Sequence, residues 1–131
     1  MIGKLPAFGF VLLLAAPAFA ADDGPCAKET SQMGLNQCFG KVADAADAKL
    51  NRLYKELIGK AEGKEKDSLR DAQRAWIAYR DKECDYETIA EEGGSIRPME
   101  ISICVADKTN ARVKEFESFL KCAPSDLSCT R

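Results

Sequence analysis

Residues 84–104 read CDYETIAEEGGSIRPMEISIC, and this stretch decides the fold. Cys84 stands ten residues before Gly94, and Cys104 ten residues after it. Glycine tolerates the left-handed backbone that stops a helix, so Gly93-Gly94 reads as a helix end. Ser95 is a good N-cap for the next helix, and Pro98 falls in its first turn, where the missing N–H costs nothing. Two helices folded about Gly94 bring Cys84 and Cys104 side by side.

The pattern extends in both directions from that turn. Upstream, the spacing predicts a helix from about 64 to 92, with Leu69, Ala72, Trp76, Tyr79 and Cys84 on its packed side. Downstream, Ile96, Met99, Ile103, Ala106, Val113, Phe116 and Leu120 carry a helix over 96–121, and Pro124 opposes its continuation into an irregular tail, 122–131. A further helix over 31–62 shows Leu35, Cys38, Phe39, Val42, Ala46, Leu50, Leu53 and Leu57 at steps of three and four. Thr30 or Ser31 can cap its start and Gly63 can end it. No alternating strand pattern or repeat is present. The expected fold is all-α: an antiparallel three-helix bundle stapled by disulfides.

The first twenty residues have a different character. Lys4 precedes a short apolar run, Ala7 to Ala16, and Ala18-Phe19-Ala20 offers the small residues a signal peptidase reads. We expect residues 1–20 to be a signal peptide and 21–131 to form a single domain. The run is too short to span a bilayer. Cys26 follows Asp23-Gly24-Pro25, unlike a lipid-attachment site, so no stable membrane anchor is expected after cleavage. The expected location is periplasmic or secreted.

Cysteine usage agrees with export. Cys26, Cys38, Cys84, Cys104, Cys122 and Cys129 all follow the leader and include no Cys-x-x-Cys, so they read as structural bridges and not as a redox or zinc site. Six cysteines allow fifteen pairings. Folding the helix over 31–62 back on the next at residues 62–63 sets Cys38 opposite Glu87, one turn from Cys84. The pairing favoured is Cys84–Cys104, Cys26–Cys38 and Cys122–Cys129, with Cys38–Cys84 and Cys26–Cys104 the alternative.

Charge narrows the function classes. Without residues 1–20, which contain only Lys4 as a charged side chain, 18 basic and 21 acidic residues remain, a net charge of −3. That balance argues against nucleic acid as a partner and is compatible with a basic protein. The chain has no histidine, the commonest general base and metal ligand, and it shows no nucleophile motif. We therefore expect no enzyme, no metal and no cofactor.

Two groups of polar residues stand out. Gln73, Trp76, Arg80 and Cys84 share one helix face, and a buried glutamine and arginine need partners. Asp44 and Asp47 lie near the level of Arg80, with Asn51 and Tyr54 continuing the Asp47 side. These residues read either as a structural network that fixes helix register or as a polar ligand pocket. The second group is the turn Glu91–Met99, which reads either as a binding loop or as a plain helix stop and start.

The residues also resemble a known family. Cys26-x3-Thr30-Ser31-Gln32-x3-Asn36-x-Cys38, Ala46-Asp47-Ala48-Lys49-Leu50-Asn51-Arg52-Leu53-Tyr54, Gln73-Arg74-Ala75-Trp76-Ile77-Ala78-Tyr79-Arg80-Asp81-x2-Cys84, Gly93-Gly94-Ser95 and Cys104 are together similar to the LprI-type lysozyme-inhibitor-like domain. The resemblance covers about Cys26 to Leu120, and Cys122 and Cys129 lie beyond the four family cysteines. It implies an exported helical domain of a bacterial envelope whose named activity is inhibition of lysozyme. The partner so implied is lysozyme, with another envelope protein or ligand as the alternative. Lysozyme works with a carboxylic acid and a carboxylate facing each other across a cleft. A blocker could set a cation and hydrogen-bond donors between them, and the tip offers Ser95 and Arg97 as the binding residues.

Overall fold

A computed structural model describes residues 24–122. Three helices occupy almost all of this span: α1 (Gln32–Lys60), α2 (Gly63–Glu87) and α3 (Arg97–Lys121), with a short 3-10 turn, Ile89–Glu91, after α2. The described residues contain no strand. No helix among them is long and apolar enough to cross a membrane. The proposed leader 1–20 lies outside the described residues, as does the tail from residue 123.

Cross-links between helices fix the topology. Asp47 meets Thr109, and Lys49 pairs with Glu117 at 2.8 Å, so α1 and α3 run parallel. Arg80 reaches back to Asp47, and Glu87 pairs with Lys108, so α2 runs antiparallel to both. The protein is thus an up-down-up three-helix bundle. Its closest pair is the parallel one, α1 against α3. Ala43 and Ala46 on α1 and Ala106 on α3 are buried, and their short side chains let the two backbones approach.

The apolar core lies in the half of the bundle near the end of α1 and the end of α3. Leu50, Leu53, Val113 and Phe116 are buried together, with Tyr54, Leu57, Leu69, Trp76, Phe119 and Leu120 packed around them. Phe116 is fully enclosed, and its ring lies 6.4 Å from Tyr54 and 6.1 Å from Phe119.

α2 contributes differently. Its buried residues are Gln73, Arg80 and Cys84, with no aliphatic among them. The packed stripe runs Leu69, Gln73, Trp76, Arg80, Cys84. Ala72 and Tyr79, expected on this side, are exposed, and Tyr79 is 55 % accessible. A steady step of three or four from Leu69 through Arg80 passes one position to the side of both.

The helix boundaries correct three further expectations. Ser31 caps α1, its hydroxyl accepting from Gly34 N–H at 3.0 Å, but Gly63 does not end that helix. Ala61 is the C-cap, and Gly63, with φ +50°, opens α2. α2 stops at Glu87, well before Glu92, because the Thr88 hydroxyl donates to the Cys84 carbonyl at 2.8 Å and the chain tightens into the 3-10 turn. The reversal falls at Gly93, φ +77°. A side chain at Gly94 would press on the Glu91 carbonyl, 3.0 Å from the position of a Cβ. Ser95 does not cap α3: Ile96 is the N-cap residue, and the Ser95 hydroxyl is left at the exposed tip.

Candidate functional site

Three places in the bundle collect polar or unsatisfied chemistry: a seam between the helices, the turn end, and a groove between α1 and α2.

The seam centres on Arg80, which is only 8 % exposed. Its Nη1 donates to Asp47 Oδ1 at 2.6 Å and to the Thr109 hydroxyl at 3.0 Å, and its Nε donates to Asp81 Oδ1 at 2.9 Å. Thr109 in turn donates to Asp47 at 3.4 Å. Each helix therefore supplies a member. The guanidinium lies 5.3 Å from the centre of the Trp76 ring, and Arg112 lies 5.8 Å from that ring and 4.6 Å from Phe116. Arg112 also donates to Gln73 Oε1 at 3.3 Å and pairs with Glu115. Among the described residues no buried side-chain polar atom lacks a partner, so the seam satisfies the charges that it covers.

The expected network is thus partly assembled. Asp47, Gln73, Trp76 and Arg80 meet in it. Asp44 is exposed and does not meet Arg80; Asp47 takes that place one turn further on. Asn51 and Tyr54 make no hydrogen bond to Arg80 and face the groove between α1 and α2 instead. Thr109 and Arg112 complete the seam and were not legible as members, since a threonine and an arginine on α3 carry no signal until the helices are docked. Trp76 is half-buried, with arginines near its ring.

The turn end carries two disulfides. Cys84 joins Cys104 and Cys26 joins Cys38, so the alternative pairing of these four is not formed. Cys122 is also disulfide-bonded, and its expected partner Cys129 lies outside the described residues. Asn36 donates to the Ser95 carbonyl at 3.0 Å, tying the tip to α1, and Gln32 donates to Asn36.

Arg97 is engaged in the fold and does not project. Its Nε donates to the Thr88 carbonyl at 3.2 Å, and its Nη2 donates to the Asp85 carbonyl and carboxylate. It closes the C-terminus of α2, where the carbonyls lack helical partners and the helix dipole favours a cation. Beside it, Lys108 bonds Glu87 at 3.0 Å, and that hydrogen bond raises the lysine pKa.

With Arg97 turned inward, the outer surface of this end is acidic. Residues 83–100 hold six carboxylates, Glu83, Asp85, Glu87, Glu91, Glu92 and Glu100, against one cation in that stretch, Arg97. Arg97 pairs with Asp85 and Lys108 of α3 with Glu87, which leaves Glu83, Glu91, Glu92 and Glu100 as the excess. Large apolar side chains stand among them: Tyr86 is 73 % exposed, Ile89 50 % and Ile96 39 %. Met33, at the start of α1, is exposed at the same end.

Two hollows stand out on the bundle. The α1–α2 groove, about 380 Å3, is lined by Asn51, Tyr54, Arg70, Gln73, Arg74 and Ile77. A larger cleft at the far end, about 620 Å3, has Leu57, Leu69, Phe119 and Leu120 in its walls and Cys122 at its edge, where the described residues stop. No group of acidic residues and cysteines among the described residues could hold a metal ion.

The model of the family described as lysozyme inhibitor LprI matches residues 25–116. The chain belongs to the lysozyme inhibitor LprI family. The match takes in the Cys26–Cys38 and Cys84–Cys104 disulfides, the seam and the turn end. A protein of Rhizobium meliloti (strain 1021), described as uncharacterized, is 36 % identical over 137 residues, covering 94 % of this chain and 99 % of its own length. No solved structure matches. The family is described as one of lysozyme inhibitors, and the domain is lysozyme-inhibitor-like.

Proposed function

We propose that this protein is exported to the periplasm or beyond the cell and binds a lysozyme through the turn end of its bundle, blocking the enzyme. The observation that carries this reading is the acidic, apolar-studded surface between Glu83 and Glu100, held by the Cys84–Cys104 bridge and by Arg97. A stiff surface loses little conformational entropy on docking. Carboxylates draw in a basic partner from a distance, and exposed Tyr86, Ile89 and Ile96 supply area for the contact itself. Ser95, at the tip, presents its hydroxyl to the partner. Arg97 serves as the brace that holds the tip, a role different from a cation inserted into the lysozyme cleft.

Lysis of bacterial cell walls by lysozyme, with and without the purified protein, tests the proposal. Wild type should slow lysis, and Glu91→Lys/Glu92→Lys together should weaken inhibition by about tenfold or more, equivalent to about 1.4 kcal/mol. The effect of the charge reversal should shrink as salt is raised. Tyr86→Ala should weaken inhibition at all salt concentrations. A wild-type protein that leaves lysis unchanged at high excess would overturn the lysozyme reading and point to another envelope partner. Export is tested separately: the protein recovered from the periplasm or medium should begin at Ala21.

A further inference from the structure

The groove between α1 and α2 contains a polar arrangement that the turn end does not use. Gln73 is 4 % exposed, yet it lines the groove. Its Oε1 is fixed by Arg112 at 3.3 Å, which sets the amide orientation and leaves Nε2 as the group offered to the groove. Among the described residues no hydrogen bond or ion pair engages the side chains of Asn51, Tyr54 or Arg74. Arg70, by contrast, pairs with Asp67 at 3.1 Å. None of the six lining residues is acidic, although the chain has 21 carboxylates. Tyr54 stacks on Phe116 and adds ring surface to the wall, and Ile77, 38 % exposed, supplies the apolar side opposite.

We propose that this groove is a binding site for a carboxylate-bearing sugar. Two amides and a phenol offer paired donors and acceptors suited to ring hydroxyls and acetamido groups. The Arg74 guanidinium, paired with no carboxylate among the described residues, offers a planar fork for a ligand carboxylate. The Tyr54 ring and Ile77 give apolar surface for the carbon face of the sugar. A volume of about 380 Å3 takes one or two rings. The site lies on the side of the bundle, away from the turn end, so its occupancy does not depend on binding to lysozyme.

The test is a titration of the purified full-length chain, followed by NMR of the Asn51 and Gln73 side-chain amides and the Arg74 Nε–H. The probes are N-acetylmuramic acid, glucuronic acid, neutral N-acetylglucosamine and a short peptide ending in a free carboxylate. At least one of the two acidic sugars should shift all three signals. The stronger of the two identifies the source as cell-wall glycan or uronate polysaccharide. N-acetylglucosamine should bind at least about tenfold more weakly, the factor of one lost good interaction. Arg74→Ala and Asn51→Ala, both at exposed positions, should keep the circular dichroism of wild type and weaken the acidic sugar by about tenfold. Failure of both acidic sugars to shift the signals overturns the proposal. So does equal binding of N-acetylglucosamine or of the peptide, or an Arg74→Ala protein that binds like wild type.

Discussion

The two ends of the bundle are held together by different physics. At the far end, Leu50, Leu53, Val113 and Phe116 form a conventional apolar core between α1 and α3. At the turn end, Leu35, Phe39, Val42, Ile101, Ile103 and Val105 are all only half-buried. There two disulfides, Arg97 on the last carbonyls of α2, and Asn36 on the Ser95 carbonyl supply the order that packing does not. The seam of Arg80, Asp47 and Thr109 marks the border. The contrast explains how an exposed, acidic, partly apolar surface can stay in one shape: covalent and polar ties hold it without burying the side chains it needs to present.

The largest effect should come from breaking the far end. Phe116→Ala removes the most enclosed aromatic ring and should cost about 3–5 kcal/mol, read from denaturant unfolding. If the loss were under about 1 kcal/mol, the core would not be where the packing locates it.

Removing the Cys84–Cys104 bridge by a paired change to alanine should cost about 3 kcal/mol, because it closes a loop with a sequence separation of 20. Hydrogen exchange distinguishes the two ends. Amides of residues 88–100 should lose protection out of proportion to those around Phe116. Uniform loss along all three helices would mean that the two ends are not energetically distinct.

Arg80→Met tests the border. It leaves the Thr109 hydroxyl and Asp47 without their cation, but Asp47 still reaches water, its side chain being 41 % accessible. The expected cost is about 2 kcal/mol, below the full penalty of an orphaned buried charge. For a domain of this size that is a fall in Tm of roughly 10 °C. An Arg80→Met protein of unchanged Tm would show that the seam sets register without adding stability.

The smallest effect is a pH dependence. The hydrogen bond from Lys49 holds the Glu117 carboxyl below the usual glutamate range. A depressed folded-state pKa means that this pair stabilises fully above the ordinary glutamate pKa. The stabilisation is lost as the pH falls through the lowered value. Glu117→Gln should therefore flatten the acid limb of the stability profile slightly and leave the alkaline limb, where Lys108 titrates, unchanged. A steeper acid limb in the variant would reverse the sign and exclude the pair as its source.

Much of the fold was legible because it rests on periodicity. Leu50 and Leu53 on α1 and Val113 and Phe116 on α3 fall on stripes that predict a buried face. Cys84 and Cys104 stand equidistant from Gly94, and a helical hairpin makes that spacing a contact. The candidate site was less legible. Gln73, Trp76 and Arg80 could be seen to share a face, but α2 was expected to bury Tyr79 as well, since an aromatic ring near the stripe looks apolar by composition. Arg97 looked like an outward cation at the tip of the turn. Only the early stop of α2 at Thr88 creates the open carbonyls that draw it inward.

Local pattern in the chain sets the helices, their order and direction, and the residues available for cross-linking, because each depends on neighbours within one or two turns. Tertiary packing chose which of Asp44 and Asp47 meets Arg80, brought Thr109 within hydrogen-bond reach of both members of that pair, and set Asn51, Tyr54, Gln73 and Arg74 around one groove. Those outcomes depend on the rotation of each helix about its own axis. Close packing of α1 on α3, with Ala43, Ala46 and Ala106 buried, selects that rotation, and the sequence alone carries no record of which small residues will lie in the contact.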